Sequence, residues 1–169
     1  MPQKSFRVGD KIVDFGQVFR VFKVEQKKND QGEPEQLVYF KPYYKTKQNQ
    51  GLVCSIPTKN IEQTQIRRPV SKNMLQKLLQ NLSQKPKEKK PINTKKAHSV
   101  LNLNDIGETI RVLRRYWLDK KNQETNLTKA KKDILELSQR RLVEEIAFVL
   151  GIPVTKAREK VEKRLQKLA

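Results

Sequence analysis

Gln17-Val18-Phe19-Arg20-Val21-Phe22-Lys23-Val24 decides how the first part of this chain reads. β-Branched and aromatic side chains dominate it, and these suit a pleated, half-buried surface better than a helix. Turn chemistry bounds the stretch on both sides. Upstream, Phe6 and Val8 alternate, Gly9-Asp10 marks a turn, and residues 11–13 make a short strand before Asp14-Phe15-Gly16. Downstream, Asn29-Asp30-Gln31-Gly32-Glu33-Pro34 is a turn cluster that closes a hairpin. Residues 36–41 then read as a strand through Leu37, Val38, Tyr39 and Phe40, and residues 45–51 as a polar loop. A last strand over residues 52–56 ends at Pro57. Short strands with little helix between them predict a small curled sheet or partly open barrel.

Near Pro69 the period changes from two to 3.6. Ser71 is placed to cap a helix whose Met74, Leu75, Leu78, Leu79 and Leu82 share one face. Residues 83–96, rich in lysine and broken by Pro86 and Pro91, predict an exposed loop. Asp105 and Glu108 have capping-box spacing, with Ile106, Ile110, Leu113 and Trp117 behind them as a core stripe. Arg111, Arg114 and Arg115 lie on the opposite face. Residues 119–126 read as a polar connection. Thr128 then caps a long helix with Ile134, Leu135, Leu142, Ile146, Val149 and Leu150 on its apolar side. Gly151 and Pro153 end it, and Val154, Ala157, Val161, Leu165 and Leu168 form the stripe of a final helix. The expected class is therefore α+β: a β domain over residues 1–68 and an all-α bundle over residues 69–169.

Charge is distributed unevenly over this plan. The 169 residues carry 37 Lys plus Arg against 18 Asp plus Glu, a net of +19. Residues 1–68 contribute +6 and residues 69–169 contribute +13, so the excess sits in the helical half. No Phe, Trp or Tyr occurs between Tyr44 and Tyr116. Such a half suits a polyanion better than a neutral small molecule. Two groups of lysines are the candidate phosphate contacts: Lys85, Lys87, Lys89, Lys90, Lys95 and Lys96, then Lys120, Lys121, Lys129, Lys131 and Lys132. The asparagines and glutamines form no base-reading motif, so contact with the DNA backbone and little sequence specificity are expected.

Enzyme chemistry finds little support. Cys54 and His98 are the single cysteine and histidine, too few for a zinc site, and no glycine-rich phosphate loop exists. No catalytic residue, metal or cofactor is expected. Cys54 in a strand reads as a small buried hydrophobe. One cysteine, no bilayer-length apolar run and no apolar leader predict a cytoplasmic protein without a membrane partner.

Several stretches resemble one family. Phe6-Arg7-Val8-Gly9-Asp10-Lys11-Ile12-Val13 is similar to the opening of the CarD family of bacterial transcription regulators, an opening shared with transcription-repair coupling factors. Ile56-Pro57-Thr58-Lys59-Asn60-Ile61 and Ile66-Arg67-Arg68-Pro69-Val70 resemble the last strand and exit of that module. Asp105-Ile106, Leu113-Arg114-Arg115-Tyr116-Trp117, Leu127-Thr128 and Leu142-Val143-Glu144-Glu145-Ile146-Ala147 resemble the family's helical domain, in the same order. The resemblance implies a Tudor- or SH3-like β-barrel that docks on the β subunit of RNA polymerase by strand addition. By position, the docking strand is Leu52, Val53, Cys54, Ser55 and Ile56. It also implies a helical domain touching promoter DNA at the upstream edge of the melted bubble, so that the open complex is stabilised. A nucleoid-associated monomer follows.

The chain departs from the family at Ser55, where some members carry an arginine, and at Asp14-Phe15-Gly16, which replaces a longer turn. The region of residues 85–100 lacks the tryptophan that many members use as a wedge against opened DNA. A ribosome- or RNA-associated basic protein is the competing reading, since lysine excess beside a small β module suits that role as well.

Overall fold

In the computed structural model, which describes residues 5–87, 91–122 and 127–168, the chain divides into two units, Met1–Pro69 and Val70–Ala169. The first holds strands β1 (Lys11–Asp14), β2 (Gln17–Lys28), β3 (Pro34–Pro42) and β4 (Cys54–Pro57). They form one antiparallel sheet in the order β1-β2-β3-β4. Phe6, Ile12, Phe19, Val21, Val38, Phe40, Ile61 and Ile66 make the buried core, with Val24, Cys54 and Ile56 packed against it. Phe19 and Phe40 meet edge to face at 5.3 Å, an arrangement that suits the ring quadrupoles. Burying each such side chain contributes about 1.5–3 kcal/mol.

Local chemistry sets the ends of these strands. Phe15 (φ 47) and Gly16 (φ 75) both take positive φ, the signature of a two-residue I′ hairpin. The β2–β3 turn is held by Asn29, whose Oδ1 accepts from Gln31 N (3.0 Å) and Glu33 N (2.9 Å). That anchor carries β2 four residues beyond Val24, to Lys28 opposite Pro34. The strand expected over residues 52–56 begins only at Cys54. Leu52 N donates to Asn49 O (3.0 Å) in the preceding turn, which keeps Leu52 and Val53 out of the ladder.

The sheet does not close into a barrel. After β4, a 3-10 turn (Thr58–Gln63) buries Ile61, and the chain then crosses to β1. There Val13 and Arg67 exchange two backbone bonds, of 2.7 and 3.2 Å. Arg68 fastens this crossing. It pairs with Asp10 (3.1 Å), donates to Ser5 O (2.8 Å) and stacks on Phe6 at 4.8 Å.

The second unit contains α1 (Lys72–Asn81), α2 (Thr94–Leu101), α3 (Ile106–Asn122), α4 (Lys129–Leu150) and α5 (Val154–Gln166). Side-chain caps open four of them. Ser71 Oγ accepts from Met74 N, Asn93 Oδ1 from Lys96 N, Asp105 Oδ1 from Glu108 N and Thr128 Oγ1 from Lys131 N. Gly151 at φ 64 stops α4 in the left-handed conformation that glycine tolerates best. No helix of the described residues is long and apolar enough to cross a membrane.

Four expectations are corrected here. The loop of residues 83–96 is shorter than its composition suggests, because Asn93 caps α2 and that helix buries Ala97, Val100 and Leu101. Lys95 and Lys96 are therefore helical. α3 runs on through residues 119–122 instead of ending before them. Tyr116, not Trp117, is the core aromatic of α3: its hydroxyl finds Ile92 O at 2.7 Å, so the whole side chain can leave water. Met74 is exposed, and Leu75, Leu79 and Leu82 carry the buried side of α1 and its C-cap.

The Arg68 fastening generates a pH dependence. Burial pushes the Asp10 carboxyl up, but the Arg7 amide and the Arg68 guanidinium outweigh it and hold the group below its ordinary range. A carboxyl depressed in the folded state stabilises above its unfolded value and loses that contribution as pH falls through the folded value. The β unit is therefore expected to lose stability below pH ~4. Asp10→Asn should flatten that acid limb and cost up to about 1 kcal/mol at neutral pH. Thermal melts across the acid range check this; an acid limb equally steep in the variant would refute it.

Candidate docking margin and nucleic-acid interface

Two places in the fold gather the candidate residues, one in each unit. In the β unit, sheet order leaves β4 at the margin, and no described residue pairs with its outer side. Unpaired strand edges are templates for an added strand. Cys54, Ser55 and Ile56 lie in this strand. Ser55 is exposed, while Cys54 and Ile56 turn toward the core. Leu52 and Val53, held outside the ladder, are 43% and 56% exposed. Two apolar side chains thus stand in water at the entrance to an open edge. Burial, and then the charge of Asp14, push the Cys54 thiol up, which keeps it neutral and unreactive near pH 7.

In the helical unit, side-chain hydrogen bonds bring several helix ends to one pole. Arg114 Nη1 donates to Asn81 O (2.8 Å) and Gln84 O (3.0 Å), placing the end of α1 beside the middle of α3. Tyr116 bonds Ile92, two residues before α2 starts. Lys121 Nζ donates to Leu168 O (2.8 Å), just beyond α5. α4 begins a short connection after α3 and packs along it. The opposite pole is marked by Arg141 on Leu101 O at the end of α2 and by Glu145 accepting from Val70 N.

The lysine groups read from sequence converge on the first pole. Lys85 and Lys87 follow α1, Lys95 and Lys96 open α2, Lys120 and Lys121 close α3, and Lys129, Lys131 and Lys132 open α4. Lys89 and Lys90 lie outside the described residues. No ion pair with another described residue engages any of these lysines; Lys120 instead stands 5.4 Å from the Trp117 ring. The acidic Asp105, Glu108, Glu144 and Glu145 belong to the other pole, while Asp119, paired with Arg115, and Asp133 stand among the lysines of the first.

Sequence reading missed a third lysine group. Lys163 and Arg164 occupy the last turn of α5, and Lys167 is its C-cap. The signal was present: Lys156, Lys160, Lys163 and Lys167 recur every three or four residues, on the side away from Ala157, Val161 and Leu165. His98 is exposed on α2, and the described residues hold no cluster of three or more His, Cys, Asp or Glu suited to a metal ion.

Helix electrostatics divide these lysines into two kinds. Lysines at the ends of α3 and α5 complement the negative ends of those helices. Lys95, Lys96, Lys129, Lys131 and Lys132 do the reverse. They sit at the positive ends of α2 and α4, whose first turns hold no acidic residue. Each such placement costs about 0.3–1 kcal/mol, less when fully screened. A bound anion would meet backbone N–H groups and ammonium groups together, and offset that cost.

No protein-family model matches the chain, and no curated protein does.

A charge reversal at a helix start separates folding from function. Lys131→Glu should raise the melting temperature of the helical unit, because an acid at the positive end of α4 recovers the dipole term. Calorimetry of the full chain reads this directly. A lower melting temperature would show that Lys131 serves the fold.

Proposed function

We propose that this chain is a non-enzymatic regulator of bacterial transcription initiation. Its β unit, taken as a Tudor-like module, adds a strand of the RNA polymerase β subunit to the outer side of β4. Its helical unit holds promoter DNA by the phosphates and stabilises the open complex. The observation that carries this reading is the gathering of lysines at one pole of the helical unit, including the starts of α2 and α4 where they oppose the helix dipole. The open margin of β4, with Leu52 and Val53 exposed beside it, supplies the second half of the reading. The resemblance of residues 6–13, 56–70 and 105–147 to the CarD family names the polymerase.

In strand addition, main-chain bonds supply affinity and neighbouring side chains supply choice. Ser55 offers no charge for that choice, so the apolar pair Leu52 and Val53 takes the role. On DNA, lysines neutralise phosphates and release counterions, giving affinity that falls steeply with salt and depends little on sequence.

Two measurements test the two halves. Capture of the polymerase β subunit by full-length protein should be abolished in the double variant Leu52→Glu, Val53→Glu, with an unchanged melting temperature. Capture that persists, or ribosomal particles sedimenting with the protein in place of polymerase, would remove the docking claim. For DNA, duplex affinity across a salt series should fall linearly on a logarithmic plot. Lys129→Gln, Lys131→Gln and Lys132→Gln together should reduce the slope by about 0.9 for each phosphate no longer neutralised. A slope unmoved by the triple variant counts against this pole as the DNA surface.

A further inference from the structure

The outward side of the sheet carries a row of cations, of which Lys11 also donates to Gly9 O at 2.8 Å. Lys11 of β1 stands opposite Arg20 of β2, and Arg20 stands opposite Lys41 of β3. Register partners share a face, so three positive side chains cross three strands side by side. Like charges placed directly opposite destabilise a sheet. Arg20 and Lys41 are exposed, and no carboxylate among the described residues pairs with either.

Aromatic rings flank the row. Tyr39, Lys41 and Tyr43 alternate along β3 and its continuation, where Tyr43 N donates to Val18 O at 2.9 Å. Phe22 is the extra residue of a bulge between Val21 and Lys23. Its ring lies 6.3 Å from that of Tyr39 and therefore shares its face. Every one of these rings has an ammonium over it. Lys41 is 5.0 Å from Phe22, Lys23 is 5.2 Å from Tyr39, and Lys11 is 5.8 Å from Tyr43. Glu25, which accepts from Tyr39 and pairs with Lys23, marks the acidic limit of the patch.

We propose that this face binds single-stranded nucleic acid, with bases stacked on Phe22, Tyr39 and Tyr43 and phosphates held by Lys11, Arg20 and Lys41. A stacked base interacts more strongly with a ring than an exposed ammonium does, so it displaces the lysine, which turns to the adjacent phosphate. Duplex bases are already stacked on each other and offer no open face to a ring. An acidic peptide would neutralise the row but leave the rings without a stacking partner. This surface is distinct from the outer side of β4 and from the helical pole, and its test stands apart from theirs.

Full-length protein is titrated at physiological salt with labelled oligo(dT), oligo(rU) and a duplex of equal length. Tyr39→Leu, alone and with Phe22→Leu, removes the rings and keeps apolar side chains suited to a strand. Single-strand affinity should fall about tenfold for each ring removed, with duplex affinity unchanged. Arg20→Gln should reduce the single-strand salt slope by about 0.7. The tighter of the two oligonucleotides tells whether DNA or RNA is the natural ligand. Undiminished single-strand affinity in the ring variants overturns the proposal, and so does an equal loss on duplex. Abolished polymerase capture with intact oligonucleotide binding also overturns it, by giving the face to a protein. Photocrosslinking of the unaltered protein to oligo(dT) guards against misfolded variants. Adducts on Phe22, Tyr39 or Tyr43 support the platform, and adducts confined to the helical unit refute it.

Discussion

The pair of backbone bonds between Val13 and Arg67 determines which side of the sheet is open. A four-strand antiparallel sheet has two margins, and each is a hazard when left bare. Here the chain, having passed β4 and Ile61, returns to β1 and covers its margin. Arg68 holds that return through three kinds of contact at once: an ion pair, a backbone hydrogen bond and a ring. Each alone is weak at an exposed site. Together they restrain one guanidinium, so much of its ordering cost is met once for all three. The consequence is asymmetry. β4 is left as the margin without a strand partner among the described residues, and its entrance is apolar.

The helical unit shows a comparable tension between stability and charge. Its apolar stripes and caps agree with its topology at nearly every helix, as expected of a sequence that folds to one structure. The disagreement lies at helix starts: α2 and α4 open on lysines with no first-turn acid, and α1 (Lys72) and α5 (Lys156) do the same at the other pole. What sets the first pole apart is that basic ends of α3 and α5 join the lysine starts of α2 and α4 there.

Much of this was legible in the residues. Ser71 and Thr128 announce helix starts, and Gly151 a stop, because a cap depends on three or four neighbouring positions only. The β2 and β3 strands are legible for a similar reason: β-branched and aromatic residues from Val18 to Val24, with turn chemistry on both sides, suffice. What escaped depends on distant partners. α2 has a short apolar face beside its lysines, and Ala97, Val100 and Leu101 are buried only by packing against distant helices. Tyr116 and Trp117 are one position apart, and periodicity could not choose between them; a carbonyl within reach of the tyrosine hydroxyl did. Of the candidate site, the lysines were readable one group at a time. Their convergence was not, since it follows from how five helix ends are arranged. The cation row on the sheet was invisible for the same reason, as Lys11, Arg20 and Lys41 become neighbours only through strand register.

The division of work between arginine and lysine in the helical unit explains why its charge points to backbone contact. Arg114 caps carbonyls at the end of α1, Arg141 caps the end of α2, Arg111 is bound to Glu108 at 2.8 Å, and Arg115 pairs with Asp119 at 3.4 Å. These planar forks are well suited to reading guanine edges, yet here they are turned inward to orient helices. The cations left facing water at the pole are mainly lysines, compact point charges on flexible stems. Lysines of this kind follow phosphates wherever the backbone runs and impose little geometry on a base. A surface so composed favours affinity for a polyanion over choice of sequence.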